Sequence, residues 1–170
     1  MRLAVVVWPA PHVAAVLADF ERPHLGGVHW SNPEQWLVKL RPLGHVDQRT
    51  SDALPDVLVA GLAGAPTVDC QVGPATRRLG GQWLGAPVSG LDDLAAAVFE
   101  ATEELVPVTH PQAYQADIVL ARGRVPKELA GRPICAGWNV DTVHLVADRS
   151  SPGRHRFEDL ATITLDLPSS

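Results

Sequence analysis

The sequence predicts an α+β domain built from two similar halves, each a sheet covered by helices. Two observations carry that expectation. The predicted elements run strand, helix, strand, helix, paired strands, helix and then further strands, an order that alternates sheet and helix in each half. The composition, 46% hydrophobic and 19% charged, is that of a packed globular chain and not of a disordered one. A length of 170 residues fits a single two-lobed domain over residues 1–170 with a sizeable core. No low-complexity tract or long linker divides it.

The elements follow in order. Leu3 to Trp8 is a short apolar run closed by Pro9, which suits a buried strand. Pro11 opens a helix with Val13, Val16, Leu17 and Phe20 at helical spacing. A loop rich in Pro, Gly and His runs from Arg22 to Pro33. From Trp36 to Leu43 residues alternate, with Trp36, Val38 and Leu40 on one face and Leu37, Lys39 and Arg41 on the other. Thr50 to Ala63 reads as a helix weakened by Pro55. Thr67 to Val72 and Gln82 to Val88 are strands flanking a loop that holds Arg77 and Arg78.

Leu91 to Leu105 is the clearest helix, with Ser89 as its expected cap and Asp92 and Asp93 in the first turn. Asp117 to Ala121 is a strand, and Val125 to Ala130 a helical turn closed by Gly131. Asp141 to Ala147 and Ala161 to Leu167 complete the strands, joined by the polar loop from Asp148 to His155.

A net charge of −5 argues against non-specific DNA binding, which needs a broad basic surface. No apolar run reaches the roughly 20 residues that span a bilayer, and the N-terminus lacks the features of a signal peptide. The expected location is therefore the cytoplasm, with no membrane association. Cys70 and Cys135 lie in apolar contexts without ligands at metal spacing, so buried free thiols are expected and no metal. A disulfide between them is the alternative. No phosphate-cradling Gly-rich loop with its Lys is present, and no cofactor is expected.

Three stretches together resemble one family. The first is the run from Gly27 through Trp30, Trp36-Leu37-Val38-Lys39-Leu40-Arg41 and Gly44; the second is Tyr114-Gln115-Ala116-Asp117-Ile118-Val119-Leu120-Ala121-Arg122. The third is Val143 to Val146 with Arg156 to Leu160. The chain thereby resembles the two-histidine phosphoesterase superfamily, in particular bacterial RNA 2′,3′-cyclic phosphodiesterases, also called 2′-5′ RNA ligases. The resemblance implies two pseudo-symmetric lobes, each an antiparallel sheet covered by helices, with a groove between them. In that family a His-x-Thr pair on each of two strands points into the groove. One histidine accepts a proton, the other donates one, and the threonines hold the phosphate. Residues two apart on a strand share a face, so each pair meets the same phosphate.

Here all four of those positions differ. The histidine positions fall on Leu37 and Asp117, and the threonine positions on Lys39 and Val119. Leu and Val have no proton to give and no lone pair to accept one, so no catalytic residue is expected. Ala4 also stands where the family places an aromatic residue. The ligand-binding candidates are Lys39, Arg41, Asp117 and Arg122. Lys39 is read either as a phosphate anchor or as an ion-pair partner of Asp117 across the groove. Arg41 and Arg122, at the strand ends, either meet a backbone phosphate or sit in solvent or a structural pairing. Arg77-Arg78 and Arg154-His155-Arg156 read as solvated loop charges, with RNA contact as the alternative, and Trp30 and Trp36 as core packing. The functional expectation is a 2′-5′ RNA ligase-like protein without the catalytic histidines. It binds a phosphorylated small ligand such as a nucleotide, an RNA end or a protein partner. A weakly active or repurposed RNA 2′,3′-cyclic phosphodiesterase is the alternative.

Overall fold

The computed structural model describes residues 1–152 and 154–166. Leu167, which the sequence assigns to the closing strand, and residue 153 of the preceding loop lie outside the described residues. In chain order the elements are β1 (Arg2–Val7), α1 (Pro11–Asp19), β2 (Val28–Trp30), β3 (Val38–His45), α2 (Gln48–Gly61), β4 (Val68–Val72) and β5 (Arg77–Leu79). They continue with β6 (Trp83–Ser89), α3 (Asp92–Thr102), β7 (Asp117–Gly123), β8 (Ala136–Val140), β9 (Thr142–Asp148) and β10 (Phe157–Thr164).

The strands form two antiparallel sheets, as expected. One has the order β10-β9-β1-β3; the other has the order β2-β7-β6-β4-β8, with β5 added beside β6. Helices α2 and α3 pack on each other and cover the first sheet, while α1 lies against β8 of the second. The core is continuous between these layers. Val5, Val7, Val38, Leu40 and Leu145 of the first sheet join Leu84, Ile118, Leu120 and Val140 of the second in one buried cluster.

Local chemistry explains most boundaries. Pro11 occupies the first turn of α1, where a missing N–H costs nothing. Helix α2 starts two residues before the expected Thr50, because the Asp47 carboxylate accepts the Thr50 N–H at 2.8 Å. It continues through Pro55 because Leu54 and Leu58 are both fully buried against the core. Ser89 does not cap α3; the helix begins after Leu91, whose side chain makes no capping bond.

Three strands were not legible. β2 lies in a stretch read as loop and forms only by pairing with β7. β5 also lies in an expected loop, and folds back on β6 through Gly80 and Gly81, both at positive φ. β8 escaped because its pattern is short and pairs only with β4. Cys70 is buried as expected and burial pushes its thiol up to about 12, but Cys135 is exposed, and both are free. Trp36 is buried in the core, whereas Trp30 is half-buried against Phe20.

Candidate functional site

The two strands that carry the family-like stretches, β3 and β7, approach each other between the sheets. Each carries a bulge at the same place, and β3 has a second one at Leu43. On β3, Lys39 pairs with Val6 and Arg41 with Val5, so Leu40 is an extra residue. On β7, Val119 pairs with Gly85 and Ala121 with Leu84, so Leu120 is an extra residue. A bulge of this kind puts two residues opposite one and reverses the face of everything after it. The matched bulges are internal evidence of the pseudo-symmetry that the sequence suggested.

The bulges decide which side chains reach the groove. On β3, Leu37 and Lys39 stand on the groove side. Arg41 would join them on a regular strand, but the bulge turns it into the core, where it is 3% exposed. There its guanidinium donates to Thr102 Oγ1 at 2.6 Å and to the Val106 carbonyl, and lies 5.0 Å over the Phe99 ring. Arg41 is therefore a structural residue joining β3 to α3, and not a groove ligand. On β7 the same device has the opposite outcome. Ala121 turns inward beside Leu84, and Arg122 returns to the groove side.

The groove floor on the first sheet is apolar. Ala4, Val6, Leu37 and Val146 form a small buried cluster separate from the main core, flanked by Trp8 and Phe157. Leu37 is 6% exposed. It fills its place with hydrocarbon. Lys39 stands beside this floor, above a small cavity it shares with Arg2, Ala4, Pro42, Val146, Asp148 and Phe157.

Charge is unbalanced here. The Lys39 ammonium is held below the usual lysine range, first by burial and then by the cations Arg2 and Arg122. Asp148 is the carboxylate that opposes this. Burial works against the Asp148 charge too, but the bond from the Ser150 N–H at 2.9 Å and the charges of Arg2 and Lys39 outweigh it and lower its pKa. Arg122 stacks its guanidinium 5.1 Å over the Trp83 ring, and its Nε is buried with no hydrogen-bond partner among the described residues. An orphaned buried donor of this kind is costly unless something occupies it.

Asp117 faces the groove from β7, yet it does not pair with Lys39. Its carboxylate accepts two hydrogen bonds from Arg77, from Nε at 2.9 Å and from Nη2 at 2.8 Å. The Lys39–Asp117 ion pair considered from sequence is thus replaced by Arg77–Asp117. Pairing β5 with β6 and β6 with β7 brings Arg77 alongside; read as a loop, that residue gave no such signal. The one-turn hairpin at Gly80-Gly81 was the available clue. Tyr114 was likewise missed: its hydroxyl donates to the Lys39 carbonyl at 3.0 Å, tying the approach to β7 directly to β3. Burial pushes the Tyr114 hydroxyl well above its ordinary pKa, so it stays a donor.

Of the histidines, His144 stands on the groove side of β9, opposite Val6. Its Nδ1 lies 3.5 Å from Asp159 and 3.4 Å from Thr162 Oγ1. Among the described residues no group of His, Cys, Asp and Glu is placed to hold a metal ion, and no helix is long and apolar enough to cross a membrane.

The same overall fold is found in solved structures. TT0787 of Thermus thermophilus superposes with a TM-score of 0.77 at 22% identity, covering 97% of this chain and 98% of that one. This is a LigT-like fold. E. coli LigT, solved with 3′-AMP, superposes with a TM-score of 0.77 at 19% identity over 96% of this chain and 97% of its own. A protein described as a phosphoesterase gives the same TM-score of 0.77, also at 19% identity, over 96% of this chain and 97% of its own. No protein-family model matches the chain, and no curated protein sequence matches it.

Proposed function

We propose that the groove binds a phosphorylated ligand, a nucleotide or an RNA end, without the two-histidine chemistry of the proteins whose fold it shares. The observation that carries this reading is the convergence of Arg2, Lys39 and Arg122 on one apolar-floored groove, with the Arg122 Nε lacking a hydrogen-bond partner among the described residues. An anion there would satisfy that donor and relieve the repulsion among the cations. Phosphate oxygens suit the fork of a guanidinium and the point charge of an ammonium together.

Catalysis is a different matter. Leu37 and Val119 cannot move protons, and the Asp117 carboxylate is occupied by Arg77. Each positioned acid or base contributes on the order of 10²- to 10⁴-fold in rate. E. coli LigT has been solved with 3′-AMP, NADP⁺, ATP and phosphate, which supports a nucleotide or phosphate as the class of ligand.

A second reading, a repurposed phosphodiesterase, has one observation in its favour. His144 shares a row across the sheet with Val6 and Lys39 and has Asp159 beside its Nδ1. Two measurements separate the readings. Titration with 3′-AMP is expected to show binding that Lys39→Ala strongly weakens. A turnover assay on a dinucleotide with a 2′,3′-cyclic phosphate is expected to show no hydrolysis. Robust turnover that disappears in His144→Ala would replace binding by catalysis. No binding of either compound would leave a protein partner as the occupant of the groove.

A further inference from the structure

Beside the groove lies a second, larger cavity of about 500 Å³. Trp8, Glu34, Arg154, His155, Arg156 and Phe157 line it. Phe157 also lines the small cavity that contains Lys39, so the two spaces adjoin. The volume is within the range of small-molecule sites.

Its walls are held by backbone, not by chance side-chain positions. Trp8 follows β1 directly, and Phe157 opens β10 in register with Asp148. Glu34 sits in a short 3-10 turn whose Asn32 side chain accepts the Glu34 N–H at 3.1 Å, while Gln35 reaches back to the Asn32 N–H at 3.1 Å. The loop carrying the two arginines is pinned by Arg149 N–H to the Arg156 carbonyl at 2.8 Å and by Ser151 N–H to the Arg154 carbonyl at 2.8 Å. Neither Arg154 nor Arg156 has a carboxylate partner among the described residues.

We propose that this cavity takes the aromatic ring of a phosphorylated nucleoside, and that Glu34 selects rings bearing an exocyclic amine. Trp8 and Phe157 supply flat apolar faces for a ring, and arginine guanidinium planes stack on rings as well. A carboxylate accepts hydrogen bonds and donates none, so Glu34 matches the amine of adenine or cytosine and repels the carbonyl that uracil presents there. The phosphate of the same ligand reaches the cations around Lys39, so this inference rests on the groove reading above.

The test is calorimetric titration of the full chain with adenosine 3′-phosphate, uridine 3′-phosphate, ribose 5-phosphate and adenosine. The adenine nucleotide is expected to bind about tenfold or more tightly than ribose 5-phosphate. It should also exceed the uracil nucleotide by about tenfold. Trp8→Leu and Phe157→Leu, checked for unchanged melting, should reduce it to the level of ribose 5-phosphate. Glu34→Gln, on the surface, should erase the preference over uridine. A dinucleotide ending in adenosine 3′-phosphate distinguishes sources: tighter binding than the mononucleotide marks an RNA end, weaker binding a free nucleotide, and both support the ring site.

Equal binding of all three phosphates, insensitive to Trp8 and Glu34 but lost in Lys39→Ala, would overturn the ring site and leave the groove reading standing. Adenosine binding as well as its phosphate, with dependence on Trp8 but not on Lys39, would do the reverse. Binding by none would overturn both.

Discussion

The Arg77 guanidinium donates to both carboxylate oxygens of Asp117, in hydrogen bonds of 2.9 and 2.8 Å. The carboxylate side chain is 11% exposed and the guanidinium 42%. The pair therefore places a neutral unit on the groove side of β7, and it leaves Lys39 free of Asp117.

A charge cycle follows from that pairing. Arg77→Ala leaves a bare carboxylate in the groove and should weaken phosphate binding. Asp117→Asn should strengthen it, by removing negative charge and releasing the guanidinium. The double variant should return near the wild-type affinity. Lys39→Ala should cost the same factor in the Asp117→Asn background as in the wild type, because residues that do not interact have additive effects. Titration with inorganic phosphate measures all of these; strong non-additivity between Lys39 and Asp117 would show that they are coupled after all.

Binding should also depend on pH through Lys39. Its folded-state pKa lies below the ordinary 10.5, chiefly from burial and then from Arg2 and Arg122. A bound anion favours the charged ammonium and raises that pKa again. Affinity should accordingly be full below the lowered value of the free protein and fall as pH rises through it, in a window beneath 10.5. Asp148→Asn removes the carboxylate that supports the ammonium and should move this fall to lower pH. A series of titrations from neutral to alkaline pH reads the midpoint.

Arg41 should prove a stability residue. Arg41→Met loses the bonds to Thr102 and Val106 and the contact with Phe99. Hydrogen bonds to charged groups contribute about 1.5–3 kcal/mol each, so the variant should lose roughly 3 kcal/mol, read from its urea midpoint. Its phosphate affinity, measured under native conditions, should not change.

Restoring the family residues tests the chemistry directly. Leu37→His, Lys39→Thr, Asp117→His and Val119→Thr together should create detectable hydrolysis of a 2′,3′-cyclic phosphate. Arg77 then lies unpaired beside the new imidazole and disfavours its protonated form. Adding Arg77→Gln should raise the rate further. An inactive five-fold variant that still folds and binds would mean that the groove no longer positions the phosphate for attack.

The sequence by itself determined the α+β class and the plan of two antiparallel sheets covered by helices. Each of these is local information. The alternation of Trp36, Val38 and Leu40 against Leu37 and Lys39 is written in the order of the side chains along the strand. The tertiary structure decided which charges face the groove. Two bulges, after Lys39 and after Val119, reverse strand parity, so Arg41 enters the core and Arg122 the groove although a regular strand treats them otherwise. Likewise Arg77 meets Asp117 only because β5 pairs with β6 and β6 with β7. A bulge is set by how two distant strands pair and by what packs beneath them, and no pattern within the strand itself records it.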